Sequence, residues 1–577
     1  MAINKKDVIK LLEKIATYLE LKNENPFKIS AYRKAAQALE RDDRSLTEIE
    51  DFTKLQGVGK GTAAVILEFI ENGESDTLLQ LEKEVPAGLI PLLNLPGLGG
   101  KKLAKLYHEL DIVDEGTLRA ACEKGGEVQA LKGFGKKTEE KIIEALNSAG
   151  TRPERLPVPL VVATVEKIED FLHNIEEIQR FSIAGSMRRF RETVKDLDFI
   201  IATDKPDIVK EKLLQFEDRM DTIAAGDTKV SIVVQGRYDI NVDFRLVSDK
   251  EFPTTLHHFT GSKDHNVLMR QLAKSQGKKI SEYGVEDVET GKVKTFATEE
   301  AFYRNFGLEF IPPEIREGKD ELTLAKASID LVDEASIQAD LHMHTTWSDG
   351  AQSLEEMVIR VKEKGYHFMA ITDHSKFLKV ANGLNEERLR QQRKEIEKVQ
   401  QQHPDITILA GVEMDILPDG TLDFEDDFLQ ELDFVIASIH SSFQQPQEKI
   451  HERLLHALQN PHVDMIAHPT GRLLGKRDGY AVDVEWLIKQ AAATNTILEL
   501  NANPNRLDLS AEWVELAQEH GVHLAINTDA HNYTMLEDMT TGIGTARRGK
   551  LKKDTVVNTW NAEKFIEYLR QKEVNSR

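Results

Sequence analysis

Two sets of side chains in this sequence have types and spacings that could do chemistry at phosphorus. The first is Asp196-Leu197-Asp198, preceded by Gly185-Ser186-Met187-Arg188-Arg189 and followed by Asp243 within Ile240-Asn241-Val242-Asp243-Phe244-Arg245. Residues two apart on a strand point to the same face. Asp196 and Asp198 can therefore present both carboxylates to one site, and Asp243 adds a third. Three carboxylates can hold two Mg2+ ions about 3.5–4 Å apart, one activating an attacking oxygen and the other steadying a leaving one. Gly185-Ser186 makes a turn whose amide and hydroxyl can hold phosphate, and Arg189 adds positive charge where a triphosphate would lie. A D-x-D pair alone is an ordinary solvated strand end. With the Gly-Ser turn upstream and a third Asp downstream, it reads as a nucleotidyl-transfer site with Asp196, Asp198 and Asp243 catalytic.

The second set is His342-Met343-His344, Asp349, Asp373-His374, Glu413, His440, His468 and Asp529-Ala530-His531. Each falls at or just past the end of a short apolar run: 339–341, 368–372, 407–412, 434–439, 463–467 or 523–528. In parallel barrels the loops after strand C-termini build the active site. Nitrogen and oxygen donors of this kind suit Zn2+, Mn2+ or Fe2+. A lone histidine is more often a packed or surface residue, and His108, His403 and His451 are read that way. Nine donors recurring at one topological position are not. Arg472, just after His468-Pro469, and Asn501, at the end of another apolar run, are candidate substrate contacts of the same site.

A third pattern recurs along the N-terminal part: Leu55-Gln56-Gly57-Val58-Gly59-Lys60, Leu95-Pro96-Gly97-Leu98-Gly99-Gly100-Lys101-Lys102 and Leu131-Lys132-Gly133-Phe134-Gly135-Lys136-Lys137. Each is a G-x-G turn opening an apolar-periodic helix. Glycine allows the tight turn and close approach of a ligand, and the free amides of a helix N-terminus face an anion. This is the helix-hairpin-helix pattern, which grips DNA backbone without reading its sequence. Gly57, Gly59, Lys60, Gly97, Gly99, Lys101, Gly133 and Gly135 are the expected phosphate contacts, with monovalent cations as further occupants of the hairpins.

These sites need elements to hold them. Residues 1–147 read as short helices broken by glycine turns, and 148–159, with three prolines, as a hinge. Residues 160–316 mix helices with β-branched strands at 198–202, 230–234 and 238–245. Residues 317–336 are charged and read as a linker carrying a helix. From Gln338 onward strand and helix alternate, which implies a parallel α/β architecture. Seven short strands are expected there, starting near Ala339, His367, Thr407, Phe434, Val463, Thr496 and Val522.

The chain has 577 residues, enough for several domains, and one cysteine, Cys122, so no disulfide framework is possible within it. That usage fits a reducing cytoplasm. No run of 18 apolar residues appears, and neither a membrane span nor a signal peptide is expected. The formal net charge of -23 argues against nucleic-acid binding if taken alone. Its distribution weakens the objection. Residues 1–320 carry 48 Lys+Arg against 56 Asp+Glu, a net of -8, and the remainder carries -15. Part of that C-terminal acid belongs to the candidate metal ligands, whose charge bound cations offset.

Two family resemblances follow from these motifs. The Gly185-Ser186 turn, Asp196/Asp198, Asp243 and the segment His258-Phe259-Thr260-Gly261-Ser262 through Asn266 and Arg270 resemble the palm and thumb of family X DNA polymerases, the polymerase beta group. Ala31-Tyr32-Arg33-Lys34-Ala35-Ala36, the hairpins, Arg155-Leu156-Pro157 and Ser281-Glu282-Tyr283-Gly284 match as well, covering residues 1–316 in order. The resemblance implies nucleotide contacts at Gly185, Ser186, Arg189, His258, Phe259, Gly261, Lys263, Asn266 and Arg270. Phe259 and Gly261 would lie along the sugar, Asn266 at the base edge and Arg270 at the templating side. This chain departs from the family at four places. His258 stands where a tyrosine is common, Asn241 where an arginine flanks the third carboxylate, and Lys263 where an aspartate lies near the nucleotide. Val65 stands at the position of the Schiff-base lysine, with Gly61 at a neighbouring basic position. Lys28 and Lys60 can still bind a 5′-phosphate, so phosphate binding without lyase chemistry is expected.

The C-terminal donors resemble the PHP domain, named for polymerases and histidinol phosphatase, a distorted (βα)7 barrel that commonly holds three metals. All nine family ligands match: His342, His344, Asp349, His374, Glu413, His440, His468, Asp529 and His531, with Glu413 bridging.

The expected architecture is therefore multidomain, an α-helical helix-hairpin-helix part, an α/β palm and thumb, and the PHP barrel. Its boundaries are 1–80 (5′-phosphate-binding domain), 81–150 (fingers), 151–250 (palm), 251–316 (thumb), 317–336 (linker) and 337–577 (PHP domain). The expected protein is a monomeric, cytoplasmic, template-directed gap-filling polymerase. It would act on gapped or nicked DNA with dNTPs, with Mg2+ or Mn2+ in the palm and up to three Mn2+, Zn2+ or Fe2+ ions in the barrel. The barrel is expected to be a 3′–5′ exonuclease, with abasic-site endonuclease or 3′-phosphatase activity. Two rivals remain at this stage. A small-molecule nucleotidyltransferase fused to a phosphatase leaves the three hairpins unexplained. A DNA-binding scaffold with an inert barrel predicts missing ligands, and none is missing.

Overall fold

The computed structural model describes residues 5–42, 46, 49–93, 98–123, 127–136, 138–139, 142–143, 146 and 153–576. The chain forms two compact units, Met1–Glu154 and Arg155–Arg577, divided within the proline-containing segment.

The first unit is helical. Val8, Leu12, Ile15 and Leu19 recur at the spacing of one helix face on α1 (Lys5–Leu21) and are buried against α2 (Pro26–Arg41). Asn25 caps α2 by accepting the amide of Phe27, and a proline opens it. The glycine turns come next. Gly59 is the N-cap of α3 (Lys60–Asn72) and Gly99 that of α4 (Gly100–Leu110). In the third hairpin the Gly135 carbonyl accepts the amides of Thr138 and Glu139. The leading glycines Gly57 and Gly133 adopt φ of +109° and +95°, a region that side chains rarely enter. Gly97 lies outside the described residues.

The second unit contains the palm, the thumb and the barrel. The palm is a five-stranded sheet of β1 (Arg180–Ile183), β2 (Leu197–Ala202), β3 (Arg219–Ala225), β4 (Lys229–Val234) and β5 (Ile240–Val247), in the order β1-β2-β5-β4-β3. The sheet is antiparallel except for β2 and β5, which run parallel with Asp198 opposite Asp243. The thumb packs Phe302, Tyr303 and Phe306 into its own core, so the aromatic run 302–306 is interior and not a stacking surface.

Residues 317–336 are not a free linker. Glu321 is fully buried and accepts the amides of Gly318 and Lys319, and Val332 is packed into the barrel core.

The barrel has seven parallel strands in sequence order: β6 (Ala339–Asp340), β7 (Phe368–Ile371), β8 (Thr407–Asp415), β9 (Phe434–Ser438), β10 (Met465–Ile466), β11 (Ile497–Asn501) and β12 (Leu524–Asn527). A parallel bridge from Met343 to Ala530 joins the first strand's end to the last. The starts fall within three residues of the seven read from the sequence. Palm and barrel share an interface: the Phe190 ring lies against Gly544 and fills the space a Cβ there would need. Gly544 is on α5 (Met539–Arg548), the helix that follows the Asp529–His531 segment.

Candidate active sites

In the barrel, apolar strands deliver polar ends into one place. His342 and His344 follow β6, His374 follows β7, Glu413 is on β8, His440 follows β9, His468 follows β10, and Asp529 and His531 follow β12. His342, His344, Glu413 and His468 are essentially inaccessible to solvent. Glu413 lies at the centre. Its Oε2 is 2.9 Å from His374 Nδ1, 3.4 Å from His342 Nε2 and 3.5 Å from His344 Nε2. Its Oε1 is 2.9 Å from His468 Nε2 and 3.2 Å from His440 Nε2. On one side Asp349 Oδ1 stands 3.5 Å from His531 and 3.6 Å from His374. On another, Asp529 Oδ1 stands 3.1 Å from His344 and 3.4 Å from His342. Three groups can each close on an ion: His344/Asp349/His374/His531, His342/His344/Asp529 and His374/Glu413/His440.

The donor set fits divalent cations. His342 Nε2, His344 Nδ1, His374 Nδ1, Glu413 Oε2 and His468 Nδ1 are buried without an aligned hydrogen bond, which burial normally forbids. Charge within the cluster is correspondingly uneven. Burial, with His374 and His531 close by, pushes His344 down to about 3. Burial opposes charge on His440 too, but Glu413 and Asp415 outweigh it and raise that imidazole to about 10. Burial would also raise the Glu413 carboxyl, yet His440, His374 and His342 hold it well below the usual carboxylate range. His468 and Asp529 sit at φ of +29° and +54°, strain of a kind that collects at functional sites.

A layer of buried partners that the sequence reading missed orients these ligands. Glu499 accepts from His342 Nδ1 (2.7 Å), the amide of His468 (2.7 Å) and Asn527. Asp415 stands 3.2 Å from His440 Nδ1. Such partners fix which imidazole nitrogen faces the metal. Asn501, expected as a substrate contact, is fully buried and donates to Glu499 and Asp529 Oδ2. Arg472, expected to hold phosphate, pairs with Glu192 of the palm (2.7 Å) and donates to the carbonyls of Arg506 and Leu507. Both act on neighbouring protein groups in this structure. The arginine beside the cluster is Arg506, 3.5 Å from Asp529 Oδ2.

In the palm, Asp198 is part-buried and Asp196 exposed at the strand's start. Burial, then Asp196 and Asp243, push the Asp198 carboxyl up to about 7. Three carboxylates crowded in this way suit divalent cations. Gly185, at φ +62°, passes so close that a Cβ there would meet Asp198 Oδ2 at 2.6 Å. Asn241 leaves the third carboxylate without the usual flanking arginine, and Lys229 of the adjacent strand stands 2.7 Å from Asp243 Oδ2.

Beside the palm lies a cavity of about 320 Å3 lined by Arg189, His258, Phe259, Gly261, Ser262, Lys263, Asn266 and Arg270. Its walls are α6 (Phe252–Thr260) and α7 (Lys263–Ser275) with the turn between them. Of the expected nucleotide contacts, only Gly185 and Ser186 are outside this lining. Asn266 Nδ2 donates to the His258 carbonyl, and Arg245 lies 4.5 Å from the Phe259 ring. Burial pushes the His258 imidazole down.

Behind the cavity is a second network not seen in the sequence. Tyr303 Oη joins His257 (3.1 Å) to His265 (2.9 Å), and His265 reaches Glu321 (2.9 Å). Arg189 contacts Glu317 (3.3 Å) and the Thr260 carbonyl, and Glu317 also pairs with Arg548 of α5 at 2.8 Å.

Comparison with known proteins settles the lineage. The chain is 58% identical over 569 residues, 99% of its length and 100% of the relative's, to the DNA polymerase/3′-5′ exonuclease PolX of Bacillus subtilis (strain 168). It belongs to the PolX family. Family models agree segment by segment: a helix-hairpin-helix domain over residues 3–75, a SAM-like helix-hairpin-helix tandem over 89–148, the DNA polymerase beta thumb over 255–317 and the PHP domain over 340–503. Asp529 and His531 lie beyond the last match, and the structure brings them back to it. Relatives of the barrel alone are similar too. A probable phosphatase of Acetivibrio thermocellus is 29% identical over 41% of this chain and 97% of its own, and one of Thermoanaerobacter sp. (strain X514) is 29% identical over 40% and 94%.

The lysines expected to hold phosphate in the PolX-type N-terminal unit face outward. Lys28, Lys60 and Lys101 are exposed, Lys28 being 4.0 Å from Glu24. Lys101 shares a cavity of about 740 Å3 with Arg33, Lys34 and Lys105. Val65 is buried in the helical core, so no nucleophile stands at the Schiff-base position. His108 is exposed, whereas His403 and His451 are part-buried. His403 lies 3.2 Å from Lys362 Nζ, and His451 stacks on Trp486. Among the described residues no helix is long and apolar enough to cross a membrane.

Proposed function

We propose that this protein is a template-directed DNA polymerase that fills short gaps, and that its barrel is a metal-dependent 3′–5′ exonuclease acting on the same primer end. One observation carries the reading: a single chain holds both the carboxylate trio with its lined cavity and a nine-donor cluster. Asp196, Asp198 and Asp243 would hold Mg2+ or Mn2+ in the palm. The nine barrel donors would hold up to three ions, with Mn2+ or Zn2+ suited to the imidazoles and Fe2+ also compatible. Bound there, such ions supply Lewis-acid polarisation of a phosphate ester and acidify water.

The chain's own residues do the rest. Arg189 and the Gly185-Ser186 turn receive the triphosphate, and Phe259 and Gly261 flank the sugar. His258, Lys263, Asn266 and Arg270 close the pocket around the base. The helix-hairpin-helix amides and lysines grip the backbone of gapped or nicked DNA. The setting is base excision or end repair by a monomer in the cytoplasm. The likeness of the barrel to probable phosphatases favours 3′-phosphatase or abasic-site cleavage as a second outlet of that site.

The test is a 5′-labelled primer on one-nucleotide-gapped DNA, with Mg2+ or Mn2+, with and without dNTPs. Asp196→Ala should abolish extension and still shorten the primer, and His344→Ala should do the reverse. A wild-type protein that neither extends nor shortens the primer would defeat the reading and point to small phosphorylated substrates.

A further inference from the structure

Three arginines lie in the loops that follow β10 and β11, and they differ in how their donors are used. Arg472 is taken up by Glu192 and by the carbonyls of Arg506 and Leu507. Arg477 donates Nε and Nη2 to the Gly471 carbonyl (3.1 and 2.8 Å) and lies 4.0 Å over the Phe443 ring. Arg506, among the described residues, has one close partner, Asp529 Oδ2 at 3.5 Å from Nε. Among the described residues neither of its Nη groups makes a hydrogen bond to the protein, and 20% of the side chain is exposed.

The loop that carries Arg506 is nevertheless fixed. Asp508 is fully buried and accepts the amides of Thr470 (3.0 Å) and Gly471 (2.9 Å), tying this loop to the one after His468. Arg472 grips two successive carbonyls, those of Arg506 and Leu507. A planar guanidinium with open donors on a rigid backbone, beside a cluster that binds cations, matches the non-bridging oxygens of a phosphate in two parallel hydrogen bonds.

We propose that Arg506 binds the phosphate at the DNA 3′ end presented to the barrel cluster, and that Arg472 is the positioning residue that sets its backbone. The assignment rests on the exonuclease reading of the barrel.

The test uses the full chain with Arg506→Gln and Arg506→Lys. Readouts are primer shortening in Mn2+, bound metal per chain, primer extension, and calorimetric binding of thymidine 5′-monophosphate in Ca2+. Arg506→Gln should raise the nuclease KM about tenfold or more, change kcat less, and weaken mononucleotide binding by a similar factor. Metal content and primer extension should stay at wild-type levels. Arg506→Lys, a point charge without the fork, should recover part of the loss. Unchanged KM and unchanged mononucleotide binding would overturn the proposal. So would a fall in bound metal whose replenishment restores activity, since Arg506 would then only steady Asp529. If the wild type releases no nucleotides, the exonuclease reading fails, while the calorimetric comparison still decides Arg506.

Discussion

The two candidate sites solve one problem, holding divalent ions beside a phosphate, in opposite ways. The barrel's donors are buried and oriented from behind: Glu499 on His342, Asp415 on His440, Asn501 on Asp529. The palm's three carboxylates lie at two adjoining inner strands of the sheet, β2 and β5, and are only partly buried. Asp196 is exposed, Asp243 pairs with Lys229, and Asp198 is pushed up to about 7 by burial and its two neighbours. The barrel is preassembled. The palm is left short of positive charge, and under the proposed function an incoming nucleotide with its divalent ion would complete it. A nuclease site that holds its ions can act on any frayed end, whereas a polymerase site filled by its substrate waits for that substrate.

The strongest way to break the comparison is at Glu413. Glu413→Ala removes the shared carboxylate, and primer shortening should fall about a thousandfold or more, with extension retained. Loss of extension as well would mean that the sites are not independent. Next in size is the supporting layer. Glu499→Gln should weaken barrel metal binding about 10–100-fold, measured as the chelator concentration needed to strip half the metal. Among the described residues no comparable layer backs the palm, so dialysis against a mild chelator should empty the palm first.

The palm's shortage of positive charge also predicts a pH effect. Asp198 has a folded pKa of about 7 against an ordinary value of 3.8, so folding takes up a proton in between. Without divalent ions, stability should fall as pH rises through that window and stay low above it. Asp198→Asn removes the cost. At pH 8 in chelator its transition should lie about 2–4 °C above wild type, with no difference at pH 4. The smallest effect concerns DNA grip. Lys60→Ala should lower the slope of log affinity against log salt by about one, leaving both chemistries intact on saturating DNA.

Much of this was legible in the sequence because the ligands mark strand ends. The strand starts and all nine barrel donors were readable from apolar runs that each stop at a histidine or carboxylate. The supporting layer was harder, although it left a trace. Asp340-Leu341-His342-Met343-His344, Glu413-Met414-Asp415 and Glu499-Leu500-Asn501 each place polar residues two apart on an otherwise apolar strand, the period that puts them on one inward face. Arg472 and Arg506 could not be told apart, because which arginine keeps open donors depends on Glu192, hundreds of residues away in sequence. The His257–Tyr303–His265–Glu321 chain was hidden for the same reason. Its members come from three segments that only the thumb fold brings together.

The contact between Phe190 and Gly544 bears on modularity. The polymerase core and the barrel look like parts that could be exchanged, and barrel relatives do occur as separate proteins. Here an aromatic ring of the palm occupies the space a side chain on the barrel helix would need, and Arg189 of the nucleotide cavity shares Glu317 with Arg548 of that same helix. A barrel excised from this chain would carry a glycine facing water and an arginine stripped of its counter-charge. The fusion is therefore written into both surfaces, and transplanting either half requires redesigning the face it leaves behind.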